Sequence, residues 1–184
     1  MITEDAVAED GLDRSLQDAL DASSVALDDS GMTTLSMAGL WMGSMMILMD
    51  LFDSQSDFSR FLVDRLRKHD GESPNDRSQE KKIPDQQRDQ HHADLRTAAG
   101  IVHSRLGEVL DEIGEDPRLC SAYADTLFDK VARTLIAAWG KGFFRKNVGN
   151  LVEHILTGGG ETITVPVEPL RSVKDAAQPP ATFS

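Results

Sequence analysis

The stretch "LSMAGLWMGSMMILM", residues 35–49, runs for fifteen positions without a charged side chain and holds five of the seven methionines of the chain. A helix of this composition is apolar on every side, which is typical of a helix at the centre of a helical protein. The stretch therefore predicts a buried core helix. Two other interpretations compete with it, a membrane span and a soft-metal site.

The membrane interpretation depends on length and on two glycines. A bilayer span takes about 20 apolar residues, whereas 32–49 offers 18 residues and includes hydroxyl side chains and glycines. Gly39 and Gly43 form a G-x-x-x-G pair, which lets two helix backbones approach closely. The basic residues of 60–68 would then place the C-terminal part in the cytoplasm. A single inserted helix at 35–49 is the first alternative to the core helix.

The methionines favour packing or binding over metal. Thioethers suit Cu(I), and Met42, Met45, Met46 and Met49 are three or four positions apart. Methionine also fills irregular cores and forms adaptable binding surfaces. We therefore predict a core or interaction role for this helix and no metal site in it.

The rest of the chain carries helical patterns. An acidic-faced amphipathic helix is predicted within 11–27, and the dipeptide Asp116-Pro117 predicts the start of another helix. Between them, an apolar seam with a 4-3-4-3-4 spacing predicts a helix that packs on a partner helix; its members are Leu95, Ala99, Val102, Leu106, Val109 and Ile113. We predict an all-α fold, an irregular bundle of four to five helices with a polar linker and a short extended C-terminal arm.

The predicted organisation has four parts. Residues 1–68 hold an acidic N-terminal helix and the methionine-rich helical region. Residues 69–92 are so polar that they predict a flexible linker. Residues 93–160 form the second helical region, and 161–184 form the extended arm and a disordered tail.

The net charge and its distribution restrict the classes of partner that the protein can bind. The net charge is −12, with 31 acidic and 19 basic side chains, which disfavours nucleic acid and favours basic protein partners. The first 34 residues carry nine acidic side chains and one basic side chain, unlike a secretory signal, so we expect a cytoplasmic protein. A single cysteine, Cys120, allows neither an intrachain disulfide nor a cysteine-based zinc site.

Signatures of catalysis are weak. No G-x-S-x-G elbow frames a serine, and no Glu-x-x-His pair of the helix-bundle iron sites occurs. Asp89, His92 and His103 are the residues that a metal-dependent helical-bundle enzyme would use, which is the second alternative. We predict a non-enzymatic protein without a cofactor, a bound metal or a small-molecule substrate.

A basic and aromatic segment completes the functional prediction. Residues 130–150 carry five basic side chains and no acidic one, and the acidic N-terminal region is expected to pack near them. We predict a helical interaction, assembly or regulatory protein that binds other proteins or itself through this segment and the methionine-rich helix. The residues predicted to form these surfaces are Gly39, Trp41, Met42, Gly43, Met46, Trp139, Lys141, Phe143, Phe144, Arg145 and Lys146.

Overall fold

Six α-helices and one turn of 3-10 helix make up residues 4–68 and 85–157, which are the residues that the computed structural model describes. The α-helices are α1 (Glu4–Asp29), α2 (Ser36–Asp50), α3 (Gln55–Lys68), α4 (Asp85–Ile113), α5 (Pro117–Trp139) and α6 (Lys141–Leu156). The 3-10 turn, Thr33–Leu35, leads directly into α2. The predicted all-α fold is confirmed.

The methionine-rich helix α2 lies at the centre of the bundle. Every residue from 38 to 48 is buried except Met46. Helix α4 packs along most of its length, α5 contacts it, and Phe144 of α6 meets the Trp41 ring edge-on at 6.2 Å between centroids. Because no side of the helix faces lipid or bulk water over most of its length, the core interpretation of 35–49 holds. In the described ranges, no helix combines the length and apolar character needed to cross a bilayer.

The apolar seam of α4 faces inward, as its spacing predicted. Its first five members, from Leu95 to Val109, are buried, and Ile113 at the C-terminal end is half-buried. A hydrogen bond fastens α5 to this seam, because the Tyr123 hydroxyl donates to the Leu106 carbonyl at 2.8 Å. Helix α4 thus packs against both α2 and α5.

Helices α2 and α4 run in the same direction. Gly39 lies against Ala98, Gly43 lies against Val102, and Ile47 of α2 is the neighbour of Gly107. The partners advance along both helices together, so the C-terminal ends of α2 and α4 lie at the same end of the pair. The chain between them includes the whole of α3.

Polar caps and glycines separate the helices. The methionine-rich helix ends at Asp50, and α3 begins where the Asp57 amide donates to Ser54 Oγ at 3.1 Å. Asp116 accepts from the Arg118 amide at 2.9 Å at the start of α5. Gly140, with φ of 88°, forms the corner between α5 and α6. These breaks give six α-helices in the described ranges, against the four or five predicted.

The C-terminal part of the predicted linker is helical. Residues 85–92 form the first turns of α4 instead, because the helix that begins at the apolar seam continues backward through polar side chains. Gln90 Nε2 donates to Asp94 Oδ1 at 2.8 Å across one turn there. The rest of the predicted linker, 69–84, and the predicted arm and tail, 161–184, lie outside the described residues.

Candidate interaction surface

Four of the five interaction residues predicted on α2 belong to the interior. Gly39, Trp41, Met42 and Gly43 are buried, with Trp41 at 0% exposure. Only Met46, at 36%, reaches the surface. Burial of the others follows from the central position of α2, so they pack the chain's own helices rather than a partner.

The G-x-x-x-G pair brings two helices together within the chain. A Cβ at Gly43 would lie 2.7 Å from the Ala99 carbonyl oxygen and 2.7 Å from Val102 Cβ. A Cβ at Gly39 would lie 2.9 Å from Ala98 Cβ. Real side chains do not tolerate such distances, so α2 and α4 are close because these positions are glycine.

The aromatic rings of the basic segment are core residues as well. Trp139, Phe143 and Phe144 are all buried, and Trp139 meets Phe143 edge-on at 5.2 Å between centroids. The corner at Gly140 turns the rings inward, which corrects the expectation that they are exposed anchors. Of the predicted cations, Lys146 is exposed, whereas Lys141 and Arg145 are half-buried.

The acidic N-terminal region meets the basic segment at one described ion pair. Lys130 Nζ on α5 lies 3.1 Å from Asp13 Oδ1 on α1 and donates to Gln17 Oε1 at 3.2 Å. The Lys130 side chain is mostly buried, so solvent screens this pair less than a fully exposed one. Opposite charges therefore help to hold α1 on α5.

The residues suggested for a metal-dependent enzyme do not converge. Among the residues that the structure describes, no three His, Cys, Asp or Glu side chains are placed to hold a metal ion. His103 Nε2 instead lies 3.6 Å from Asp50 Oδ2. His92 neighbours His91, whose pKa is lowered by burial and, to a smaller extent, by the charge of His92, while Asp94 opposes the shift.

A solvent-facing strip follows the edge of the α2–α4 contact. On α2, Met46 lies one turn after Gly43 and one turn before Asp50, and both of those residues contact α4. On α4, Gly100, His103 and Gly107 lie along one edge at a spacing of three and four. His103 contacts Asp50 of α2, and Ile47 of α2 is the neighbour of Gly107. The outer strip, as we call it, consists of Met46, Met49, Asp50, Gly100, His103 and Gly107.

The outer strip is apolar on α2 and shallow on α4. Met49 is half-buried beside the exposed Met46. A Cβ at Gly100 would meet nothing within 4 Å among the described residues, and one at Gly107 would meet Ile47 Cδ1 at 3.8 Å, an ordinary contact. The missing side chains leave room for another backbone to come close to α4.

Negative charge collects where α2 and α4 end together. Neither helix has a basic residue in its last turn. Exposed carboxylates lie in or next to these turns instead, on Asp50, Asp53, Glu108, Asp111 and Glu112. Of these, Glu108 lies 3.9 Å from Arg105 on the same helix. Each helix C-terminus also carries the negative end of its macrodipole. The two ends therefore reinforce each other and attract cationic groups.

A sequence signal for the outer strip existed. Along α4, a second series with a 4-3-4-3-4 spacing contains only small side chains before its final aspartate; it comprises Ala93, Thr97, Gly100, Ser104, Gly107 and Asp111. The apolar seam identified the buried side of α4, and this second series follows its outer side. Comparisons of the chain with protein-family models, curated proteins and solved structures gave no match.

Proposed function

We propose that the protein is a non-enzymatic helical interaction protein that binds another protein through the outer strip. The exposure of Met46 is the observation that carries this proposal, since the rest of 38–48 is buried. A methionine side chain is flexible and polarizable, so it adapts to the shape of a partner surface. A cytoplasmic location is part of the proposal.

Met46 differs from the other large apolar side chains that are exposed in the described residues. Val25 projects from α1 among aspartates, and Leu156 is the last residue of α6. Met46 instead lies between Gly43 and Asp50, which both contact α4, and the half-buried Met49 is one turn further along α2. An apolar centre with a polar border is the usual anatomy of a protein-binding patch.

The basic and aromatic segment, residues 130–150, contributes only basic side chains to this proposal. Its rings fill the core, so they cannot be the large apolar anchors of an interface in this fold. Lys146 is exposed, and we include a secondary electrostatic contact at this residue in the proposal.

Site-specific photo-cross-linking tests the proposal. A photoreactive amino acid replaces Met46 in the full chain in one variant and Val25 in a matched control. We expect a discrete cross-linked product from position 46 in cells, and none of the same mass from position 25. The proposal would be contradicted if neither position gave a cross-linked product, or if both positions gave the same products.

A further inference from the structure

Resting on the proposed function, we infer that the partner presents a basic amphipathic helix, which lies along the outer strip with lysine or arginine side chains near the ends of α2 and α4. Three observations lead to this choice: the shape of the α4 edge, the exposed methionine beside it, and the charge at one end. Each of them restricts a different property of the partner.

The shape of the edge fits a helix. Gly100 and Gly107 are seven positions apart, about 10 Å along the α4 axis. Glycine in a helix interior is unfavourable relative to alanine, and the described packing contains no group that would clash with a Cβ at Gly100. Gly39 and Gly43 show how this fold uses glycine where helices come close. A second helix that approaches α4 from outside would use Gly100 and Gly107 in the same way.

The methionine side defines an apolar contact on that helix. Met46 and Met49 are three positions apart, so they offer adjacent thioethers to one face of an incoming helix. An amphipathic helix binds such a groove through apolar residues spaced three and four apart. The partner's opposite face stays in water.

The charge at the shared end of α2 and α4 defines the basic residues. Asp50 and Asp53 follow the methionines directly, and Asp111 and Glu112 stand at the end of α4. Basic side chains of a partner would neutralise these carboxylates and the two helix C-termini together. A second copy of the chain would bring a net charge of −12 to the same place, so self-association is disfavoured.

Binding of three synthetic helical peptides to the full chain tests this inference. Each has 18 residues with leucines at positions i, i+4, i+7 and i+11, and the flanking positions carry lysine, glutamine or glutamate. Fluorescence anisotropy at low salt should give the tightest binding for the lysine peptide, with at least about tenfold weaker binding for the glutamine peptide. The glutamate peptide should not bind measurably.

Matched variants locate the site. Asp50→Asn with Asp53→Asn removes two charges beside the strip, and Asp18→Asn with Asp21→Asn removes two exposed charges from α1. The first pair should weaken lysine-peptide binding about tenfold and the second less than twofold. Met46→Gln should weaken it, while Val25→Gln should not. All six substituted side chains are exposed, so the variants keep the fold.

The possible failures are distinguishable. Equal weakening by the two aspartate pairs would show general attraction to an acidic protein and overturn the inference. Glutamine-peptide binding that matches the lysine peptide and depends on Met46 would also overturn it, yet leave the proposed function standing. If Met46→Gln changed the binding of none of the peptides, the outer strip would not be the binding site, and both the proposed function and this inference would be wrong.

Discussion

The two sides of α4 use glycine contacts in opposite ways. On the side that faces α2, Gly39 and Gly43 of α2 are indispensable, because a Cβ would lie within 3 Å of α4 atoms. On the outer side, Gly100 and Gly107 of α4 leave space that the described residues do not fill. The first pair is explained by the fold alone. No contact within the described residues requires the second pair, and the partner helix proposed above would use the space beside it.

The largest effect is expected from closing the inner side. Gly43→Ala should destabilise the protein by about 3 kcal/mol, because its Cβ would meet the α4 backbone, which cannot rotate away. Urea unfolding measures this difference. Gly100→Ala is the matched control. A loss no greater in Gly43→Ala than in the control would mean that α2 and α4 are not in close contact.

A smaller loss is expected from Tyr123→Phe, which removes the hydrogen bond from α5 to the buried seam of α4. The variant should lose about 1 kcal/mol near neutral pH. Unfolding curves near pH 8 report this difference. No change at that pH would show that the hydroxyl gains nothing over its hydration in the unfolded chain.

The same tyrosine also predicts an alkaline effect. Burial raises the pKa of Tyr123 above its ordinary value near 10. The unfolded chain therefore releases this proton first, and the stabilisation present below about pH 10 is lost as pH rises above it. The stabilities of wild type and Tyr123→Phe should converge between pH 9 and about pH 11. A constant difference would contradict the assignment.

On the outer side of α4, replacing glycine by alanine should increase stability rather than decrease it. Gly100→Ala should stabilise the free protein by about 0.5–1 kcal/mol, because alanine is the better helix former and the Cβ enters open space. Thermal unfolding measures it. Destabilisation would show that the described chain already needs this glycine, and the contrast between the two sides would disappear.

The smallest expected effect is a pH dependence of stability that arises from His91, in the first turns of α4. Burial is the main cause that lowers the pKa of His91. The unfolded chain takes up this proton near pH 6.5 while the folded chain resists it, so stability falls as pH drops below that value. His91→Gln should flatten the decrease in melting temperature between pH 7 and pH 5. His154→Gln serves as the control, and identical slopes in both variants would exclude His91 as the cause.

Sequence patterns identified the interior of this fold well. The charge-free run of α2 predicted burial, and the 4-3 spacing of α4 predicted which side is inside. Asp116 marked a helix start correctly, since its side chain accepts a hydrogen bond from the Arg118 amide. These features depend on local chemistry or on the helical repeat, both of which can be read from one segment.

The accessible surface was harder to predict. Residues 38–48 are apolar on every side of the helix, so their sequence has no periodic pattern that separates buried from exposed positions. The exposure of Met46 could therefore not be predicted. Basic residues interleaved with Trp139 and Phe144 resemble a surface segment, and only the corner at Gly140 shows that the rings point inward. The parallel arrangement of α2 and α4 is likewise a property of the whole chain.

That parallel arrangement also affects how the protein is made. Gly39 and Ala98 are 59 positions apart in the sequence, so the central contact of this helical protein is non-local and closes a long loop. At a synthesis rate of about 5–20 residues per second, roughly 3–12 s separate the emergence of the two partners from the ribosome. Throughout that interval the fifteen uncharged residues of 35–49 have no α4 to cover them. During synthesis, the apolar stretch 35–49 is therefore exposed to aggregation until α4 has emerged.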